Sequence, residues 1–122
     1  MEARTQLRPD PTSVRAARQF IATALAEWHH EELLDAAVLL TSELVTNAVL
    51  YARTAISIVV DLTGDRLRVE VIDSNPLPPI PRVAGEDATS GRGLALVEAL
   101  ARAWGIDTIP PSGKRVWFEV AA

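Results

Sequence analysis

The sequence contains no cysteine, and its basic residues are outnumbered, with 12 Lys and Arg against 16 Asp and Glu. The absence of cysteine excludes disulfide bonds, thiolate metal sites and cysteine nucleophiles. The formal net charge of −4 argues against direct binding of nucleic acid, which needs a dense basic face. A small polyanionic ligand remains compatible with this charge, because backbone N–H groups can bind phosphate.

The sequence also lacks an apolar signal core near its N-terminus, and no uninterrupted apolar run reaches the length of a membrane span. We therefore expect a cytoplasmic protein without a membrane partner. The hydrophobic fraction of 48% over 122 residues is enough for the core of one compact domain. Because Pro9 and Pro11 interrupt the polar start of the chain, we expect a flexible arm at residues 1–12 and a single domain at residues 13–122.

Hydrophobic periodicity predicts two helices followed by a hairpin. Thr12 or Ser13 is expected to cap the first helix, and a break at His29 and His30 separates it from a second helix at about residues 31–52. Alternation of apolar and polar residues then predicts antiparallel strands at 56–60 and 67–71, joined by a turn at Gly64.

The second half of the sequence is predicted to contain a long loop, one helix and a second hairpin. Prolines and glycines between residues 74 and 92 predict the loop. The helix is predicted from about Gly93 to Trp104, ended by Gly105, and the strands at 106–109 and 115–120. The predicted fold class is therefore α/β (α+β): a two-layer sandwich with helices on one face of a mostly antiparallel sheet.

Glu43 and Asn47 form the first candidate constellation, since a spacing of four residues places both on one face of the second helix. Leu39, Leu40 and Leu50 border this face. An apolar border disfavours the charged form of a carboxylate and suits it to proton abstraction. An amide oxygen one turn away can ligate Mg²⁺. The alternative interpretation is an ordinary polar pair at an exposed helix edge.

Asp73 is the second candidate. Strand alternation places it on the same side as Leu67, Val69 and Val71, which should be the buried side. Because a lone buried carboxylate is unfavourable, Asp73 needs a partner, and the amino group of an adenine is one possibility. The alternative is a turn residue at the end of a strand, since the following Ser74 and Asn75 are also typical of turns.

The third candidate is the segment Gly91-Arg92-Gly93, which leads into a predicted helix at Leu94. Glycines let backbone N–H groups approach a phosphate, and the N-terminus of a helix favours negative charge. Arg92 could add a charge-assisted contact. The alternative is the flexible end of a loop.

Taken in order, these motifs resemble the GHKL ATPase superfamily, whose members have the Bergerat fold. The resemblance rests on Glu-x-x-x-Asn in a helix, Asp at the end of a strand, and a proline-rich loop that closes in Gly-x-Gly before a helix. The segments 40–49, 91–94 and 113–119 are especially similar to the anti-sigma-factor serine/threonine kinases of actinobacteria. The likeness covers nearly all of the chain, from about Ser13 to Val120.

The resemblance implies a role for each matching residue. Glu43 matches the general base that activates the acceptor hydroxyl, and Asn47 matches the Mg²⁺ ligand. Asp73 matches the residue that accepts a hydrogen bond from the adenine amino group. Gly91 and Gly93 match the lid glycines that close over the phosphates.

Three neighbouring residues are expected to contribute to nucleotide binding as well: Asn75, Arg92 and Leu94. Asn75 stands where the family usually has glycine. By analogy, the reaction is transfer of the γ-phosphate of ATP to a serine or threonine of a partner protein. The implied partners are a sigma factor or an anti-sigma antagonist, and relatives are commonly dimers. The alternative function is a nucleotide-dependent protein-interaction module with little or no kinase activity.

Overall fold

The computed structural model describes residues 1–75 and 93–121, with the backbone alone for residues 93–96. Over these residues, five strands form one sheet in the order β1-β2-β3-β5-β4, with each neighbouring pair antiparallel. The strands are β1 (Glu2–Leu7), β2 (Ile56–Thr63), β3 (Arg66–Asp73), β4 (Ala103–Thr108) and β5 (Lys114–Ala121). The described helices are α1 (Thr12–Glu27), α2 (Leu34–Asn47) and α3 (Gly93–Leu100).

The core lies between the helices and one face of the sheet, which confirms the predicted two-layer α/β fold. β2, β3 and β5 each bury every second residue, and the buried residues include Phe118 at the centre. Leu40 and Val45 of α2 are fully buried in the same cluster. On the opposite face, the Arg68 guanidinium lies 4.0 Å from the centre of the Trp117 ring, a cation–π contact.

The first residues of the chain are not a loose arm, so that prediction was wrong for Glu2–Leu7. This segment forms an edge strand whose register with β2 runs from Glu2 opposite Asp61 to Leu7 opposite Ile56. The pairing satisfies backbone N–H and C=O groups of β2 that would otherwise be unpaired at the edge of the sheet. Because backbone bonds carry the pairing, alternation of hydrophobic residues was not needed.

The start of α1 is capped by Asp10, two residues before the helix. Thr12 donates to Asp10 Oδ1 from both its backbone N–H and its hydroxyl, each at 2.9 Å. These bonds, the backbone one first, hold the pKa of Asp10 below its ordinary value. Thr12 is therefore the first residue of α1 and not its cap, so the predicted cap at Thr12 or Ser13 was wrong.

The last helix is shorter than predicted, because Trp104 and Gly105 belong to β4 rather than to the helix. α3 ends at Leu100, and Trp104 lies opposite Phe118 in the β4–β5 pair. Gly105 lies directly against the Trp117 ring, since a Cβ at this position would be 2.7 Å from an indole carbon. Its role is therefore close packing between strands and not termination of a helix.

The second helical segment changes its winding along its length. A 3₁₀ turn at Glu31–Leu33 precedes α2, and a π-helical turn at Ala48–Ala52 follows it. The Arg53 N–H donates to the Ala48 carbonyl at 3.1 Å, a bond five residues long. By length and composition, Glu31–Ala52 could also cross a membrane, with a mean hydropathy of 1.6, although half of it is buried inside the fold. A buried core helix passes the same test, so this is weak evidence for a span.

α1 ends in a Schellman motif that has histidine at the left-handed position. The His30 N–H donates to the Leu25 carbonyl at 3.0 Å, and the His29 N–H donates to the Ala26 carbonyl at 3.2 Å. His29 has φ of 58°, a conformation that favours glycine. The predicted break between the helices is thus confirmed, but its residue type is unusual.

Replacing His29 by glycine is expected to raise the free energy of unfolding by about 0.5–1 kcal/mol. The gain is the relief of left-handed strain, partly offset by the greater freedom of glycine in the unfolded chain. Chemical denaturation measures it. His30→Gly is the control, because His30 has φ of −126° and offers no such strain to relieve. A His29→Gly variant that is less stable than the wild type would contradict the interpretation.

Candidate functional site

Asp73, the last residue of β3, is buried and paired with Lys114, the first residue of β5. Asp73 is 5% exposed and Lys114 is 6% exposed. The Lys114 Nζ lies 3.0 Å from Asp73 Oδ2 and donates to Oδ1 at 3.1 Å. Burial of Asp73, predicted from strand alternation, is confirmed, and its partner within the chain is a lysine.

Asn75 completes this cluster at the end of β3. Its backbone N–H donates to Asp73 Oδ1 at 2.8 Å, so Asp73 also forms the turn that the alternative interpretation predicted. Its carbonyl oxygen accepts a hydrogen bond from Lys114 Nζ at 3.1 Å. Its side-chain amide donates to the Tyr51 carbonyl at 3.4 Å, which ties the end of β3 to the π-helical turn after Asn47.

Gly113 lets the turn before β5 approach the end of β3. It has φ of +139°, and a Cβ at this position would lie 2.7 Å from the Asp73 carbonyl oxygen. Since Lys114 follows directly, this close approach delivers the lysine ammonium to the Asp73 carboxylate. Backbone space at Gly113 therefore helps to build the buried ion pair.

Replacing Gly113 by alanine is expected to lower the free energy of unfolding by about 3 kcal/mol. The loss combines backbone strain with a clash against a backbone oxygen that cannot rotate away. Gly64→Ala is the matched control: Gly64 also has positive φ, at 64°, but nothing lies within 4 Å of its added Cβ. Thermal and urea unfolding of both variants checks this, and equal losses would show that the close approach is unimportant.

Glu43 and Asn47 occupy one face of α2, as predicted, but their surroundings differ. Asn47 is 8% exposed, whereas Glu43 is half-buried and lines a cavity of about 520 Å³ together with Arg18 and Ala22 of α1. The apolar border expected around Glu43 is half open, because Leu39 and Leu50 are 41% and 43% exposed. Among the described residues that line this cavity, none belongs to β3.

Arg18 orders one wall of this cavity. Its Nε donates to Ser42 Oγ at 2.7 Å, and that hydroxyl donates to the Val38 carbonyl at 2.7 Å. A second carboxylate, Asp35, lines the same cavity eight residues before Glu43. Glu43 therefore lines a partly apolar groove that also contains the cation Arg18 and the carboxylate Asp35.

The glycine motif can be followed only in part. Gly91 and Arg92 lie outside the described residues. Gly93 and Leu94 are the first residues of α3, and α3 packs against α2. The structure thus joins Asp73 and Asn75 to the π-helical turn that follows α2, with α3 alongside α2. Glu43 lies apart from this cluster, in the cavity between α1 and α2.

Lys114 is the residue that sequence reasoning missed. Its signal was present, because Lys114 shares the inward-facing alternation of β5 with Val116, Phe118 and Val120. A charged residue at a buried position needs a partner of opposite sign. Asp73 was the other inward-facing charge at the end of a neighbouring strand, so the two could have been matched.

The Asp73–Lys114 pair has no net charge, and its carboxylate offers the site a hydrogen-bond acceptor. Oδ1 of Asp73 accepts from both Asn75 and Lys114, while Oδ2 lies against the ammonium alone among the described residues. A carboxylate oxygen accepts about two hydrogen bonds, so Oδ2 keeps capacity for one donor. An exocyclic amino group of a nucleobase fits this requirement, and the buried Asn47 amide suits a hard cation near phosphate.

Comparison with known proteins agrees with this chemistry. The model of one protein family, described as a histidine kinase-like ATPase domain, matches residues 7–120. No curated protein matches the chain. Since the family model covers nearly the whole sequence, the chain belongs to the histidine kinase-like ATPase domain family, which supports ATP binding by this fold.

Proposed function

We propose that this protein binds Mg²⁺–ATP and transfers the γ-phosphate to a serine or threonine of a partner protein. The observation that carries the proposal is the buried Asp73 carboxylate, which is bound through Asn75 to the helical segment that bears Glu43 and Asn47. In this proposal Asp73 recognises the base and Asn47 binds the metal, while Glu43, which lines the cavity between α1 and α2, is the general base. The family match supports the ATP-binding part of the proposal.

Each residue has a distinct task in this proposal. Asp73 accepts a hydrogen bond from the amino group of adenine, and Asn47 offers its amide oxygen to Mg²⁺. Glu43 takes the proton of the acceptor hydroxyl while the hydroxyl oxygen bonds to the γ-phosphorus and ADP leaves. When bound, ATP supplies the phosphoryl group and Mg²⁺ neutralises charge on its phosphates.

The position of Glu43 supports transfer to another protein. The cavity that Glu43 lines lies between α1 and α2, and the exposed Leu39 lies on its rim. A hydroxyl-bearing segment of a partner can reach Glu43 there. We propose an anti-sigma antagonist as the phosphate acceptor, a sigma factor as a second partner, and the cytoplasm as the location.

Replacing Asp73 by asparagine is expected to weaken ATP binding about tenfold or more. Asparagine keeps one oxygen that can accept from Lys114, but its amide NH₂ faces the amino group of adenine. Two donors that face each other cannot form a hydrogen bond, and leaving both unpaired lowers the affinity. Isothermal titration calorimetry with and without Mg²⁺ measures this. Circular dichroism must show that the variant is folded.

Asp107→Asn is the matched control, since it removes a carboxylate from β4 that pairs with Arg115 on the other face of the sheet. Its ATP affinity should equal that of the wild type. If the folded Asp73→Asn variant binds ATP as tightly as the wild type, Asp73 is not the base-recognition group. If the wild type binds no ATP, the proposed function is wrong.

The same experiment separates the kinase from an interaction module. The alternative function predicts ATP binding without phosphorylation of any partner. Mass spectrometry of a purified anti-sigma antagonist after incubation with the protein and Mg²⁺–ATP distinguishes the two. A phosphoserine or phosphothreonine supports the kinase, and an unmodified acceptor across a panel of such proteins supports the module.

A further inference from the structure

The Lys114 ammonium is bound to acceptor atoms of the protein itself. Its ammonium faces three acceptor atoms: the two oxygens of Asp73 at 3.1 and 3.0 Å and the carbonyl oxygen of Asn75 at 3.1 Å. Two of the three ammonium donors are used in the hydrogen bonds to Asp73 Oδ1 and to the Asn75 carbonyl, and the ammonium charge also lies against Oδ2. Because the lysine is 6% exposed, it acts on its neighbours and not on bulk solvent.

The same contacts restrict Asp73. Oδ1 accepts from Lys114 and from the Asn75 backbone, and both groups are anchored in the turn and in β5. The carboxylate plane is therefore held from two sides, which fixes the direction of the remaining accepting position on Oδ2. The positive charge of Lys114 also cancels the negative charge of Asp73. This end of the site therefore attracts neither cations nor anions.

We propose that Lys114 is a positioning residue that makes this site select a nucleobase with an amino group over one with a carbonyl group at the same ring position, an inference that rests on the proposed function. The amino group of adenine can donate to Oδ2. The carbonyl of hypoxanthine, which is itself an acceptor, meets another acceptor there. The selectivity therefore comes from a lysine that does not touch the base.

The test compares Mg²⁺–ATP with Mg²⁺–ITP by isothermal titration calorimetry on the full chain. We expect the wild type to prefer ATP by about tenfold or more. In Lys114→Met the carboxylate is no longer held, so ATP should bind about tenfold more weakly and most of the preference should vanish. Both affinities are measured because a merely structural role would weaken the two nucleotides equally.

Arg115→Met is the matched control. This variant removes the guanidinium of the residue that follows Lys114. That guanidinium lies 3.2 Å from the Asp107 carboxylate, on the opposite face of the sheet. Both affinities and their ratio should be unchanged. A folded Lys114→Met variant with the wild-type ratio overturns the inference.

If circular dichroism shows that Lys114→Met is unfolded, Lys114→Arg decides. Arginine keeps the buried cation but replaces the compact ammonium by a planar fork, so the preference for ATP should still fall; an unchanged ratio overturns the inference. Equal affinity of the wild type for ATP and ITP also overturns it and leaves the proposed function standing. Absence of ATP binding by the wild type removes the proposed function itself.

Discussion

Lys114→Met should lower the free energy of unfolding by about 3–5 kcal/mol, measured by urea denaturation. The substitution leaves the Asp73 carboxylate buried without its cation, and an uncompensated buried charge is strongly destabilising. Few single substitutions on this chain should have so large an effect, because a typical domain has only about 5–15 kcal/mol of net stability.

Two further variants sharpen this result. The double variant Asp73→Leu/Lys114→Met removes both charges, so it should recover most of the loss. Arg115→Met breaks the half-exposed pair with Asp107, whose side chains are 35% and 45% exposed, and should cost less than about 1 kcal/mol. A loss below about 1 kcal/mol for Lys114→Met would mean that water reaches the pair in solution.

Glu43→Gln should reduce phosphate transfer from ATP to an anti-sigma antagonist by about 10²–10⁴-fold. This is the usual contribution of a positioned general base. Glutamine has nearly the same shape but cannot take the proton from the acceptor hydroxyl. ATP affinity should stay near the wild-type value, because Glu43 lines the cavity toward α1 and the proposed base-recognition group is Asp73.

Asp35→Asn provides the control for charge. Asp35 lines the same cavity, so this variant removes an equal charge from the same groove without touching the proposed base. Its rate of phosphate transfer should equal that of the wild type. Equal rates for Glu43→Gln and the wild type would refute the catalytic role of Glu43, and an equal loss in Asp35→Asn would indicate a general electrostatic effect.

The elements with strong periodicity could be predicted from the sequence. α1, the long second helical segment and the β2–β3 hairpin all have apolar residues at the spacing of their own structure. β1 could not be predicted in this way, because Glu2–Leu7 is mostly polar and is held by backbone bonds to β2. Edge strands of this kind depend on the neighbouring strand and not on local side chains.

The boundary between α3 and β4 shows a second limit. Residues 93–104 have apolar side chains at helical spacing, but Trp104 pairs opposite Phe118 of β5. A short apolar run fits a helix or a strand equally well, and tertiary contacts decide between them. A glycine after an apolar run predicts a helix end, whereas the packing of Gly105 against Trp117 depends on a residue distant in sequence.

In the candidate site, too, local patterns could be predicted and contacts between distant residues could not. Burial of Asp73 followed from alternation in β3 and is confirmed, whereas its pairing with Lys114 joins residues 41 positions apart. The roles of Glu43, Asn47 and Asn75 remain predictions. Gly91 and Arg92 lie outside the described residues, so their predicted contribution stays a prediction too.

The π-helical turn at Ala48–Ala52 limits which insertions and deletions the chain can accept. Deleting one residue here would let α-helical winding continue, but each residue removed rotates the next part of the chain by about 100° around the helix axis. The Tyr51 carbonyl would then turn away from the Asn75 amide, from which it accepts a hydrogen bond. In diverging relatives, the length of this segment should therefore be constrained more tightly than the identity of a solvent-facing member such as Leu50.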